Sequence, residues 1–162
     1  MIALTGQPNT TAATSSAYNS TTAAPADGPA LGPGPLARLL TASLFVAPLL
    51  YLAVDTIYAA RGWGDGLAGA LHVVGAIAYG LVILRVAFWL PARSRLTAAL
   101  VFVGVIGCVG NAAYGFEAIH MSVGDLQLVD RAGPANIIKP IGLFFPLSLA
   151  LAAWALARLG HR

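Results

Sequence analysis

Four long apolar runs dominate the pattern of hydrophobic and polar positions along the chain. Each run has roughly 20–25 residues, and short segments with turn chemistry separate it from the next. A helix of that length spans the hydrocarbon core of a bilayer, which is about 30 Å thick. The pattern therefore predicts four membrane-spanning helices, at residues 36–60, 67–90, 96–119 and 137–159.

The links between the runs predict how the helices are arranged. The links at 61–66 and 91–95 are short and rich in glycine, proline and arginine. The longer link at 121–135 has Gly133 and Pro134 near its end. Short links make sequential helices antiparallel neighbours. The expected fold class is therefore all-α, an integral membrane four-helix up-and-down bundle. The third run is rich in small residues that allow close helix packing, which predicts a central place for it.

The first 35 residues have a different composition from the rest of the chain. They are rich in Ser, Thr, Ala, Pro and Gly, and Asp27 carries their only charge. Such a segment buries too little apolar surface to offset the entropy of ordering. The sequence thus predicts a disordered tail at 1–35 and a four-span transmembrane domain at 36–162. The tail has no basic residue and no short apolar core, so it is not expected to be a secretory signal peptide.

Composition excludes several classes of protein. Hydrophobic residues make up 58% of the chain and charged residues only 9%, which is too few to cover the surface of a soluble domain. The single cysteine, Cys108, excludes an internal disulfide framework. The net charge of +3 does not indicate nucleic-acid binding, because the basic residues lie scattered at the ends of apolar runs. The expected environment is the lipid bilayer.

The distribution of basic residues predicts the orientation. Six arginines flank one side of the predicted bundle, at positions 38, 85, 93, 95, 158 and 162. Arg61, Arg131 and Lys139 fall on the other side, together with three aspartates. Basic residues are enriched in cytoplasmic loops. We therefore expect a multi-pass protein of the cell membrane with both termini in the cytoplasm and the first and third links outside.

Polar residues within the apolar runs identify a candidate site. In the predicted topology they all fall in the outer half of the bundle, apart from Arg85. Ionisable groups in a bilayer cost several kcal/mol, so they usually face the bundle interior and often mark a site. The candidate polar pocket consists of Asp55, His72, Asn111, Tyr114, Glu117 and Lys139.

Each of these residues also has a simpler interpretation. Asp55 and Glu117 lie near helix ends and can reach headgroup water, and Lys139 can serve as a snorkelling anchor. We expect Glu117 and Lys139 to form an ion pair across the third and fourth helices; the alternative is that each reaches water separately. Aromatic residues near the same level are interpreted as an interfacial belt or as core packing, namely Tyr51, Tyr58, Trp63 and Tyr79.

Cofactor chemistry finds little support in the sequence. His72 and His120 are the only pair for a bis-histidine haem, but they lie at different depths. Asp55, His72, Glu117 and His120 are suitable ligand types for zinc or iron, yet no paired metal-binding spacing supports them. There is no phosphate-binding loop, nucleophile elbow or Cys-x-x-Cys motif. We therefore expect no metal and no cofactor.

Three functions remain open at this stage. The leading interpretation is a membrane protein whose outer polar pocket binds a small ligand, a lipid headgroup or a partner helix. The second is a membrane enzyme or proton-coupled carrier that uses Glu117 or Asp55 with His72; because four helices enclose only a small pore, transport would favour a homo-oligomer. The third is an accessory subunit of a larger membrane complex. No sequence feature selects the ligand or substrate.

Overall fold

The computed structural model describes residues 32–124 and 126–160, which form helices and turns without a strand. The helices are α1 (Pro35–Arg61), α2 (Gly66–Trp89), α3 (Arg95–Ser122), α4 (Ile138–Gly142) and α5 (Phe144–Gly160). A 3-10 turn at Pro134–Ile137 leads into α4, and this turn, α4 and α5 make up the fourth span. All four spans are long and apolar enough to cross a membrane, which confirms the predicted multi-pass helical bundle. The predicted tail falls mostly on residues 1–31, outside the described part.

Local chemistry explains where the helices begin and end. The Asp65 side chain accepts a hydrogen bond of 2.9 Å from the backbone N–H of Ala68 and so caps the start of α2. Ser94 caps α3 in the same way through the N–H of Leu96, at 3.2 Å. Gly62 ends α1 with a φ of 93°, a conformation that other residues rarely adopt. The predicted boundaries agree with the structure within three residues.

The fourth span is interrupted, as its two prolines predict. Pro140 lies in α4 and Pro146 in the first turn of α5, and the chain leaves regular helix at Leu143 between them. Each proline lacks the N–H that would bond to the carbonyl four residues earlier. Backbone groups freed in a membrane must be covered by neighbouring protein or line a cavity. The break is packed on α3, where Gly110 lies against the backbone of Ile141.

The packing order of the spans leaves one side of the bundle open. α2 packs on α1 and α3, and α3 packs on α2, α4 and α5. No Cα atom of α1 lies within 8 Å of a Cα atom of α3, α4 or α5. The predicted central position of the third helix is therefore shared by α2 and α3, while α1 and the fourth span flank them and stand apart from each other.

Glycines close the two seams on either side of α3. A Cβ atom placed on Gly115 would lie 2.8 Å from the carbonyl oxygen of Gly69 in α2. A Cβ on Gly107 would lie 2.8 Å from the carbonyl oxygen of Phe144 at the start of α5. Such distances leave no room for a side chain, so the backbones approach closely only because these residues are glycine. α1 has no glycine contact of this kind with the fourth span.

Candidate functional site

A cleft of about 660 Å³ occupies the open side of the bundle, between α1 and α5. Leu52 of α1 and Leu149 of α5 line its two sides and are 65% and 46% exposed, so the cleft opens sideways between these helices. His72 and Tyr79 of α2 and Asn111 of α3 form its floor. The volume lies in the range of about 300–1,000 Å³ that is typical of small-molecule sites.

The cleft has a polar end and an apolar end. On α1 its lining runs from Leu44 to Asp55, which is roughly 16 Å along the helix axis at about 1.5 Å per residue. Asp55, His72 and Asn111 lie near the end of the bundle that carries the first and third links. Deeper in the bundle the lining is apolar, with Leu44 and Val82. A molecule with one polar end and an apolar body matches this gradient.

Three polar side chains of α1 share one face of the helix. Tyr51, Asp55 and Tyr58 are four and then three residues apart, which puts them on one face of the helix. From the sequence alone, Tyr51 and Tyr58 are interpreted as part of an interfacial aromatic belt or as core packing. Their spacing around Asp55 is the signal that links them to the candidate site.

A chain of hydrogen bonds crosses the floor of the cleft and joins three helices. The hydroxyl of Tyr58 lies 3.4 Å from Nδ1 of His72, and Nε2 of His72 lies 2.9 Å from Oδ1 of Asn111. The Nδ2 group of Asn111 in turn donates to the hydroxyl oxygen of Tyr51. Both His72 and Asn111 are buried, so these bonds satisfy polar groups that water does not reach.

The orientation of the Asn111 amide gives this chain a direction. Nδ2 of Asn111 donates to Tyr51, so Oδ1 faces Nε2 of His72, and with this amide orientation a neutral imidazole protonated at Nε2 matches both of its neighbours. Tyr51 accepts from Asn111 and keeps its own hydroxyl proton, for which the described residues provide no acceptor. Tyr51 lines the cleft. The chain therefore ends in a hydrogen-bond donor at the cleft wall.

Aromatic rings form much of the remaining wall. The ring of Phe145 lies 5.3 Å from that of Tyr51 and 4.8 Å from that of Tyr79, which joins α1 to α5 at one level. Tyr79 is held in place by Ser148, whose hydroxyl lies 3.2 Å from that of Tyr79. Near the opposite end Trp63 lines the cleft and stacks on Tyr58 with 4.6 Å between ring centroids.

Asp55 is the one charged residue among the described residues that line the cleft. It is exposed, and neither of the ion pairs formed within residues 32–124 and 126–160 includes it. Those pairs are Arg61 with Asp65, at 3.6 Å, and Lys139 with Asp130, at 2.5 Å. The cleft lining contains no lysine or arginine. Its electrostatic character is therefore negative.

Three of the six predicted site residues come together at this cleft, namely Asp55, His72 and Asn111. Tyr114 does not line the cleft. Its ring packs on Gly142 and lies nearly perpendicular to the ring of Trp63, with 6.2 Å between the ring centroids. Glu117 and Lys139 do not line the cleft. That the six residues bind a ligand stays a prediction.

Glu117 has a different setting from the one expected. It is 2% exposed, and its Oε1 accepts hydrogen bonds from the backbone N–H groups of Leu128 and Val129, at 2.5 and 3.1 Å. Lys139 bonds to Asp130 instead. The expected Glu117–Lys139 ion pair was therefore wrong. Oε1 is held by the backbone donors of Leu128 and Val129, which the sequence pattern had no means of locating, while the buried Oε2 has no hydrogen-bond partner among the described residues.

The described residues contain no group of three or more His, Cys, Asp or Glu side chains that could hold a metal ion. His72 and Asn111 are instead committed to each other. In comparisons with protein-family models, curated proteins and solved structures, nothing matches this chain.

Proposed function

We propose that this multi-pass membrane protein binds a small amphipathic molecule in the α1–α5 cleft. The observation that carries the proposal is the combination of an open, largely apolar cleft with a directed hydrogen-bonded chain at its polar end. Binding sites for small molecules have this composition, mainly apolar walls with a few placed polar groups. The polar end of the ligand lies near Tyr51 and Asp55, and its apolar part lies along Leu44 and Val82.

The side opening supports access from the surrounding lipid. α1 and the fourth span approach each other through side chains such as Tyr51 and Phe145, with no close contact between their backbones. A molecule dissolved in the bilayer can thus reach the cleft between the helices. The alternative is an enzyme or proton-coupled carrier that uses Glu117 or Asp55 with His72. Its Glu117 version finds less support, because Glu117 is bonded to the link and lies outside the cleft lining, whereas Asp55 and His72 both line the cleft.

Photolabelling tests this function. The full chain is reconstituted in phosphatidylcholine nanodiscs and irradiated with dodecanol that carries a diazirine in its chain. We expect labels on cleft residues such as Leu52 and Phe145, and we expect excess unlabelled dodecanol to suppress them. Labels spread evenly over the lipid-facing residues, and not reduced by competition, would contradict the proposal.

A matched pair of tryptophan variants separates the cleft from general lipid exposure. Leu149 lines the cleft, whereas Leu147 is similarly exposed on the same helix, at 48%, and does not line it. We expect Leu149→Trp to remove the competable labels and Leu147→Trp to retain them. Equal labelling of both variants would show that the probe does not occupy the cleft.

A further inference from the structure

The carboxylate of Asp55 lacks a cationic partner within the part of the chain that the structure describes. The nearest basic residue along the helix, Arg61, pairs with Asp65. Asp55 lies six residues before the end of α1, at roughly 9 Å along the helix axis. An unpaired carboxylate in a membrane-spanning helix costs several kcal/mol unless it reaches headgroup water, and a ligand cation offsets part of that cost.

The aromatic lining of the cleft favours the same sign of charge. Tyr51, Trp63, Tyr79 and Phe145 all line it, and the faces of such rings attract organic cations. This attraction needs no hydrogen-bond donor on the ligand. It therefore acts on a quaternary ammonium as well as on a protonated amine.

An anionic headgroup finds no matching charge in the cleft. The lining contains no Lys or Arg, and both ring nitrogens of His72 are engaged, with Tyr58 and Asn111. A carboxylate or phosphate would also be repelled by Asp55. A neutral alcohol is the closest competitor, since its hydroxyl can accept from Tyr51 and donate to Asp55 one turn away.

We infer that the ligand of the cleft is an amphipathic organic monocation, with its ammonium group against Asp55. Its apolar chain lies along the deeper lining, at Leu44, Val82 and Leu149. This inference rests on the proposed function, to which it adds the charge of the ligand. Asp55 supplies the charge, and the aromatic rings supply the surface on which the cation rests.

Three probes with the same chain and different charge test the inference: radiolabelled dodecyltrimethylammonium, dodecanol and dodecanoate. Binding is measured on the full chain in phosphatidylcholine nanodiscs, with empty nanodiscs as background. We expect the cation to bind most tightly and dodecanoate most weakly. The Asp55→Asn variant should lose affinity for the cation by roughly tenfold and keep its affinity for dodecanol within about twofold.

Two further variants make the result specific. Asp55→Glu restores the charge and should recover cation binding, and Asp130→Asn removes the same charge from an exposed link residue and should leave it unchanged. A thermal midpoint equal to that of the wild type shows that the Asp55→Asn variant is folded. If this variant is not folded, the ranking of the three probes by their affinity for the wild type tests the inference.

The outcomes distinguish this inference from the function on which it rests. Tighter binding of dodecanol or dodecanoate, or undiminished cation binding by a folded Asp55→Asn variant, would overturn the inference. If the probe that binds most tightly no longer binds to the Leu149→Trp variant, the cleft remains the binding site. If none of the three probes binds in a manner sensitive to Leu149→Trp, the proposed function fails as well.

Discussion

The contact between α2 and α3 and the contact between α1 and α5 are opposite solutions for two helices in a membrane. In the first, Gly69 and Gly115 bring the backbones together until no Cβ atom fits between them. In the second, the backbones stay apart, and Tyr51 and Phe145 meet across the gap, with 5.3 Å between ring centroids. At Gly69 and Gly115 the small residues leave no space for a ligand, and only a smaller apolar groove of about 320 Å³ lies further along α2 and α3, at Gly80 and Gly104. Between α1 and α5, bulky and polar residues leave the larger cleft.

This contrast follows from the driving forces available in lipid. Apolar side chains gain little by leaving lipid for another helix, so close packing and hydrogen bonds decide which helices associate. The α2–α3 contact uses packing. α1 packs on α2 through buried residues such as Leu40 and Val54, and hydrogen bonds add to this packing, since Tyr58 and Tyr51 reach the His72–Asn111 pair on α2 and α3. A helix held in this way can border a cavity.

The largest effect is expected from adding one methyl group to the tight contact. The Gly115→Ala variant would place a Cβ atom 2.8 Å from the Gly69 carbonyl oxygen and 3.0 Å from the backbone nitrogen of Val73. Backbone atoms cannot move aside as a flexible side chain does, so we expect a loss of about 3 kcal/mol in the free energy of unfolding. Unfolding by denaturing detergent measures it.

Gly80→Ala is the matched control on α2. Its added Cβ would meet only the Sγ atom of Cys108, at 3.6 Å, which is an ordinary contact. Alanine also favours helix over glycine by about 1 kcal/mol, so this variant should be as stable as the wild type or slightly more stable. Equal losses in the two variants would mean that the tight contact is not what distinguishes the two sides of the bundle.

A second, smaller effect is expected at the hydrogen-bonded chain that links α1 to α2 and α3. The Asn111→Leu variant keeps the side-chain size but leaves the Nε2 proton of His72 without its acceptor. We expect a loss of about 2 kcal/mol in the free energy of unfolding, because a buried donor is left unsatisfied. Tyr58→Phe removes the long 3.4 Å contact to His72 and should cost about 0.5 kcal/mol. If Asn111→Leu cost no more than Tyr58→Phe, the chain would add nothing to the packing that holds α1 on α2.

Sequence patterns predicted the spans because length and polarity alone decide what crosses a bilayer. The break at Leu143 in the fourth span also has a local cause, since Pro140 and Pro146 each lack an N–H. The tight approach of Gly69 to Gly115 depends on the partner helix as well as on the glycines. The orientation of the termini, which rests on the arginine distribution, stays a prediction.

The candidate site was predicted less completely than the spans. Depth along the helices correctly grouped Asp55, His72 and Asn111, because residues at one level of a bundle can meet. Depth could not separate them from Glu117, which lies at a similar level but is bonded to the link. Which side of a helix faces a cavity depends on packing, and the period of the polar residues alone did not reveal the open side between α1 and α5.

The smallest expected effect concerns Lys139, which pairs with Asp130 in the link between α3 and the fourth span. Lys139 and Asp130 are half-exposed or more, so their pair contributes little, and Lys139→Met should cost at most about 0.5 kcal/mol. Glu117→Gln should cost more, because Glu117 is buried and holds the backbone of Leu128 and Val129 to α3. In the double variant that combines Lys139→Met with Glu117→Gln, the two losses in the free energy of unfolding should add within about 0.5 kcal/mol. The reason is that the side chains of Lys139 and Glu117 share no contact. A larger coupling would mean that Lys139 helps Glu117 to hold the link, and that the exposed ion pair as well as the buried carboxylate fixes the link to α3.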